Sequence, residues 1–451
     1  MDAADLDYRA RTRSGCIPPE LVTRLLERGY AEVVAEQAGR GEWFCAQAWA
    51  RLLAEQGRQA RVLGVLAPYT ATGWWTAVVA VAELLERWGR IEEAVETVRA
   101  RMALGHPDAL AYYARLLARH GRAQEAFTLL LPHADEDSRV QALVDVAAAA
   151  GHDEEAAELL TARIEAHQCS DFPWCCQGFD TDTAIAWLAT IRERQGRVDE
   201  AIALLRAGSP SAVDHQRHLA SLLARHGRIE DLRAGAAGDL GEEAVEQLAR
   251  VLEERGDVDG AIAVYRRENG PAAGDPNQAF ALAELLARHG RGDEAIAVMR
   301  AQADTRPGED WILHPLADLY LVHGRPAEGL ASLDALATLR GGEEEWDLYR
   351  LRLPLIAARD GVDEAVDRSR AHPEGATSYA ASDTARLLAD AGRTEEAAAV
   401  LEQHARTNRH DLAGYLIDLG RVKEALALLQ HTEPPPPPIP TTCLWADTPP
   451  S

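Results

Sequence analysis

AELLARHGRGDEAIAVM, residues 283–299, carries two helix signals hinged on a single glycine. Before Gly290, apolar residues recur at helical spacing, with Leu282, Leu285 and Leu286 on one stripe. Gly290 supplies the left-handed residue that ends a helix at little cost. Asp293 and Glu294 then suit the first turn of a second helix, where carboxylates complement the helix dipole. The same pattern recurs as AELLERWGRIEEAVETV around Gly89, ARLLARHGRAQEAFTLL around Gly121 and ATIRERQGRVDEAIALL around Gly196. It appears again as GYLIDLGRVKEALALLQ around Gly420. The full set of hinge glycines is 29, 57, 89, 121, 151, 196, 227, 256, 290, 324, 361, 392 and 420, so the unit is about 32 residues long. Self-similarity at that period predicts a solenoid of about 13 helix pairs, in which each pair completes its core against its neighbours.

Two small-residue positions keep a fixed phase. Seven residues before the glycine stand Ala50, Ala82, Ala114, Ala189, Ala220, Ala249, Ala283, Ala317, Ala385 and Ala413. Five residues after it stand Ala94, Ala126, Ala156, Ala201, Ala261, Ala295, Ala397 and Ala425, each followed four residues later by a large apolar side chain. Alanine on both helices lets their backbones approach closely. This order of small residue, glycine turn, alanine and large apolar residue resembles the tetratricopeptide repeat over residues 18–430. The resemblance implies an all-α, right-handed superhelix of antiparallel helix pairs whose concave face holds a peptide or protein partner. The units depart from it in length, and Pro354 interrupts the unit of Gly361. A GRxxEA-like turn also occurs in the pentatricopeptide repeat, which reads RNA, but the basic character of that family is absent here.

Charge narrows the partner. The chain carries 47 Lys+Arg against 72 Asp+Glu, a formal net charge of −25. Such a surface repels phosphate, and cations supply most non-specific nucleic-acid affinity, so no nucleic-acid partner is expected. A single lysine, Lys423, among so many arginines reads as the imprint of a GC-rich, bacterial genome. The first residues, MDAADLDYRARTRSGC, contain no apolar signal region, and no apolar run approaches the roughly 18–20 residues of a membrane span. A cytoplasmic protein without membrane contact is expected.

No phosphate loop, GxGxxG, HExxH or GxSxG motif is present, so the expectation is a non-enzymatic binding protein without a cofactor. A ligand-sensing regulator that acts through a partner chain is the alternative. On the implied repeat, the inner wall comes from first helices, and the residue six before the glycine should face the groove. That row reads Arg51, Glu83, Arg115, Thr190, Ser221, Arg250, Glu284, Asp318 and Arg386, joined by Asn277 and Trp311 thirteen before the glycine. The row alternates in sign, which suits an extended polypeptide of mixed charge. Trp43, Trp75, Trp311 and Trp346 near first-helix starts read as core packing or, alternatively, as an aromatic platform.

Histidines at 120, 226, 289 and 323 precede their glycines at one phase, where a partly charged ring suits a helix C-terminus. The arginines just after the glycines read as solvated turn residues. An irregular insertion at about 166–181 holds His167, Cys169, Cys175 and Cys176. Its spacing lacks a C-x2-C knuckle, so no metal is expected, and these four are the ligands if one binds. Residues 1–17 read as an N-terminal extension. From 431 a proline-rich tail, containing EPPPPPIPTTCLW, excludes helix and favours polyproline II.

Overall fold

A computed structural model describes residues 2–134, 137–166, 181–208, 213–238, 240–268, 275–306, 309–339 and 345–430. The chain divides into two compact units, Met1–Trp75 with Val366–Ser451, and Thr76–Ala365. It begins with α1 (Ala3–Thr12), α2 (Pro19–Glu27), α3 (Ala31–Gly39), α4 (Trp43–Glu55) and α5 (Gln59–Ala71). Next come α6 (Trp75–Arg87), α7 (Ile91–Met102), α8 (Ala109–Arg119), α9 (Ala123–Leu130), α10 (Asp137–Ala150), α11 (Asp153–Ala166) and α12 (Thr181–Arg194). The middle continues with α13 (Val198–Ala207), α14 (Val213–Arg225), α15 (Ile229–Ala236), α16 (Gly241–Glu254), α17 (Val258–Glu268), α18 (Pro276–Arg288) and α19 (Gly292–Thr305). Then follow α20 (Leu313–Val322), α21 (Pro326–Leu339), α22 (Trp346–Tyr349), α23 (Arg352–Asp360) and α24 (Val362–Ala371). The last four are α25 (Ser378–Asp390), α26 (Thr394–Glu402), α27 (Arg409–Asp418) and α28 (Val422–Gln430). Among the described residues there is no strand, and no helix is long and apolar enough to cross a membrane. The fold is an all-α helical repeat.

All thirteen hinge glycines adopt positive φ. Gly89, at φ 73°, shows why the position must be glycine. Its N–H donates to the Glu86 carbonyl at 3.0 Å and the Arg90 N–H donates to the Leu85 carbonyl at 2.9 Å. These two bonds satisfy the orphan carbonyls of α6 and turn the chain into α7.

The alanine phases are packing positions throughout. Ala82, Ala114 and Ala283 on first helices are at most 1% exposed, as are Ala94, Ala126 and Ala295 on second helices. The apolar residues four further on, such as Val98, Leu130 and Met299, are fully buried. Second helix packs on first within a pair, as α9 on α8 and α19 on α18, and first helices pack on first helices, as α8 on α10 and α14 on α16. Pro354 does break its unit: the first helix is split into α22 and α23, with Pro354 in the opening turn of α23, where the missing N–H costs nothing. Trp43 and Trp346 are core residues, whereas Trp75 is half-buried and its neighbour Trp74 takes the buried place.

The two ends of the first unit meet. Residues 3–12, expected as part of an extension, form α1, which buries Leu6 and sends Arg9 to the buried Glu42 at 2.8 Å. α2 packs on α27, with Arg28 Nε donating to Asp418 Oδ1 at 2.9 Å. Arg24 lies against Gly414 where any Cβ would collide with its guanidinium. Beside them, Gln430 Nε2 at the end of α28 donates to Gln37 Oε1 of α3 at 2.7 Å. The first pair thus follows the last as a further repeat would.

Close contact at alanine makes a direct stability prediction. Ala114→Leu places three carbons where α8 and α9 touch and should cost about 1–3 kcal/mol through overpacking. A urea midpoint that fails to fall would contradict the packing described.

Candidate functional site

Eight of the nine arginines that follow a hinge glycine are paired rather than free turn residues, Arg58 being the exception. Arg291 forks onto Glu294 of its own helix, Nε to Oε1 at 2.6 Å and Nη2 to Oε2 at 2.8 Å, while Nη1 reaches Asp259 of the preceding repeat at 3.0 Å. Arg228 bridges Asp231 and Asp199, and Arg325 bridges Glu328 and Asp293, in the same manner. The two acids that open α13 and α19 therefore have different jobs. The one four past the glycine holds its own arginine, as Glu200 holds Arg197, and the one three past holds the next repeat's, as Asp199 holds Arg228. The paired guanidiniums of Arg291 and Arg266 pull the Glu294 carboxyl down to about 2.

The histidines also have named partners. Arg119 Nε and Nη2 donate to the two oxygens of Glu86 at 2.8 and 3.0 Å, and His120 Nε2 donates to Oε1 at 2.7 Å. Arg225 and His226 grip Glu193, and Arg288 and His289 grip Glu253, with matching atoms. Each clamp ties the end of one first helix to the end of the next. In every case the glutamate stands three before its glycine, and the Arg-His pair immediately precedes the next one.

At the following junction this clamp is missing. The glutamate position is Ala287, and the arginine position is Val322, which is 80% exposed. His323 keeps its place but has no carboxylate to meet. Its ring folds over Gly292, where any Cβ would collide with it, and Nε2 is buried without a hydrogen-bond partner. The result is a cleft of about 470 Å³ between α18 and α20. Phe280, Ala287, Pro315 and Leu319 give it an apolar floor, with Trp311, 44% exposed, at one end and Val322 at the other. Glu284 and Asp318 stand on its walls, and neither carboxylate has an ion-pair partner among the described residues. His314 joins them. Burial and nearby Arg350 hold its pKa below the ordinary histidine value, and Arg350 Nη2 lies 3.2 Å from its Nε2.

Three of the expected groove residues, Glu284, Trp311 and Asp318, are thus brought together in one cleft. Arg250 lines a second, of about 410 Å³, where it bonds Glu254 at 3.0 Å instead of facing an open groove unpaired. Arg115 reaches sideways to Asp145 of the neighbouring first helix at 2.8 Å. Arg386 turns to Asp383 of its own helix at 2.9 Å. Thr190 donates back to the Ala186 carbonyl, Ser221 is half-buried, and Arg51, Glu83 and Asn277 are exposed outside these clefts. Among the four tryptophans, Trp311 is the one that is exposed and lines a cleft. Phe280, His314, Pro315 and Val322 escaped the sequence reading, although the paired loss of Glu and Arg at 287 and 322 was visible there. His167, Cys169, Cys175, Cys176 and the tail from 431 lie outside the described residues.

No protein-family model matches the chain, and no curated protein matches it in sequence. Among solved structures it is similar to a chain of the Naa15/Naa10 complex bound to HypK-THB, with a TM-score of 0.43 and 14% identity over 91% of this chain and 67% of that one. It is also similar to a tetratricopeptide repeat protein from Parabacteroides merdae ATCC 43184, with a TM-score of 0.28 and 17% identity over 63% of this chain and 95% of that one.

The clamps make stability depend on acid pH. Hydrogen bonds from Arg119, Arg225 and Arg288, helped by the adjacent histidines, hold the carboxyls of Glu86, Glu193 and Glu253 below the ordinary value of 4.5. A carboxyl depressed in the folded state contributes above its unfolded pKa and loses that contribution as pH falls through the folded one. Replacing all three with Gln should cost about 1 kcal/mol per site at pH 7. The difference from wild type should shrink as pH drops below about 4.5 and vanish once the native carboxyls protonate. Thermal melts from pH 7 to pH 2.5 measure both effects.

Proposed function

We propose that the chain is a non-enzymatic adaptor that holds a peptide segment of another protein along its first helices. The cleft between α18 and α20 is the anchor point of that surface. One observation carries this reading: at the junction of α18 and α20, where no clamp forms, an apolar floor is flanked by two carboxylates without an ion-pair partner among the described residues. Burying a large apolar side chain on Phe280, Pro315 and Trp311 would contribute about 1.5–3 kcal/mol. Glu284 and Asp318 would select a neighbouring Arg or Lys, and such charges set register and partner choice more than raw affinity. The fitting ligand is therefore a basic segment with one bulky apolar residue. The same carboxylates disfavour a nucleic-acid backbone.

Selection of a random displayed-peptide library on the full chain should enrich basic-apolar sequences. Glu284→Lys with Asp318→Lys should weaken the enriched peptides at least ten-fold. A second variant rebuilds the missing clamp: Ala287→Glu with Val322→Arg should fill the cleft beside His323. It should abolish peptide binding while leaving the melting temperature unchanged or higher. If no such peptide is enriched, or if both variants bind as wild type does, the cleft is not the binding surface.

A further inference from the structure

α5 carries two residues that weaken a helix. Gly64 stands in its interior, where glycine loses more backbone entropy than any other residue. An added Cβ would meet nothing within 4 Å and φ is not positive, so neither space nor backbone conformation calls for glycine there. One turn on, Pro68 lies inside the same helix. Proline has no N–H, so the Gly64 carbonyl loses the helical bond that residue 68 would otherwise donate. Four residues apart, the two share one face of α5. Both line a cleft of about 780 Å³ between α3, α4 and α5 in the first unit.

The charge of this cleft runs against that of the chain, whose net charge is −25. Arg40 and Arg61 border it, and no acid lines it among the described residues. Arg40 Nη2 donates to Glu36 Oε1 at 2.6 Å, whereas Arg61 has no acid partner among the described residues. Leu53 and Tyr69 make a buried floor, with the Tyr69 hydroxyl donating to the Ala38 carbonyl at 3.4 Å. Half-buried Trp49 and exposed Pro68 add apolar rings. Gly39, Arg40, Arg61 and Gly64 are exposed as well, so the cleft is an open trough. Small-molecule pockets bury most of their ligand; a trough covers one face only, which suits an extended peptide.

We propose that this trough is a second peptide site, taking an acidic segment that carries one bulky apolar residue. The apolar residue lies on Trp49 and Pro68, and a carboxylate of the segment meets Arg61. The freed Gly64 carbonyl accepts a peptide N–H, and the missing side chain at that position lets the peptide backbone come close. Two residues that weaken α5 thus serve access to the trough. The site is independent of the α18–α20 cleft, since it has the opposite charge and lies in the other unit. An adaptor with both sites holds two partners of opposite charge.

Displayed random peptides should be panned on the wild-type chain and on Ala287→Glu with Val322→Arg, which fills the other cleft. Both should yield acid-rich sequences around a bulky apolar residue. In fluorescence anisotropy, Arg61→Glu should weaken those peptides about ten-fold or more. Gly64→Leu and Pro68→Ala should each weaken them too, yet melt at or above the wild-type temperature, because each restores helix propensity to α5. Recovery of no acidic sequence overturns the site, as do acidic peptides whose affinity none of these three variants changes. Loss of the acidic peptides in the clamp-rebuilt chain also overturns it, because they would then belong to the α18–α20 cleft. Sedimentation of the wild type as a dimer that Arg61→Glu dissolves would assign the trough to a second copy instead.

Discussion

Backbone approach between the two helices of a pair is the constraint on which the rest of this protein depends. Alanine seven before the hinge glycine and alanine five after it leave nothing between the helices but Cβ atoms. The pair is therefore thin, and its large apolar residues, such as Val98 or Leu130, bury themselves only with help from the next pair. A thin unit has no independent core, so its stability resides in the junctions between repeats. Those junctions are where the polar residues of the motif are found.

Two polar devices serve the junctions, and they differ in freedom. The arginine bridge is written into the turn itself: one guanidinium spans two carboxylates from successive second helices, as Arg291 does with Glu294 and Asp259. The Arg-His-Glu clamp on the first helices is optional, since Ala replaces its glutamate at position 287 without loss of the fold. Optional contacts are where a repeat protein can specialise. At the junction of α18 and α20, where the clamp is absent, apolar floor is exposed and two acids stand without an ion-pair partner among the described residues. The large acid excess of the chain is accordingly not uniform in meaning. Much of it is engaged by arginines along the second helices.

How much of this was legible beforehand depended on whether a residue's partner lay nearby in sequence. The hinge glycines and alanine phases were legible because their cause is local: a positive φ in the turn, and a contact between alanines twelve residues apart. The Glu294–Arg291 fork was also in reach, three residues apart within the turn. His120 was not, since its meaning depends on Glu86, 34 residues upstream and one repeat away. Taken alone, a histidine at a helix end looks like a dipole device. In the groove row the same limit applies: the long side chains of Arg115 and Arg250 found carboxylates within reach and lay down on them. Glu284 and Asp318, shorter and without a cation nearby, stayed available. The joint between α2 and α27 had no local signal at all, because Arg28 and Asp418 are 390 residues apart.

That joint changes how such an array comes undone. A linear stack of repeats melts by fraying, because each terminal pair has a neighbour on one side only and must wear a polar outer face to stay soluble. Here the outer face of α2 is covered by α27, and the outer face of α27 by α2, so neither terminal pair is an end in the thermodynamic sense. Loss of either one bares the apolar side of the other, and the two should detach together as one cooperative step. It follows that the peptide bond order of this protein is less fundamental than its neighbour order. A circular permutant that links residue 430 to residue 19 and opens the chain at another hinge glycine gives up α1 but keeps α2 to α28 in their present neighbour order.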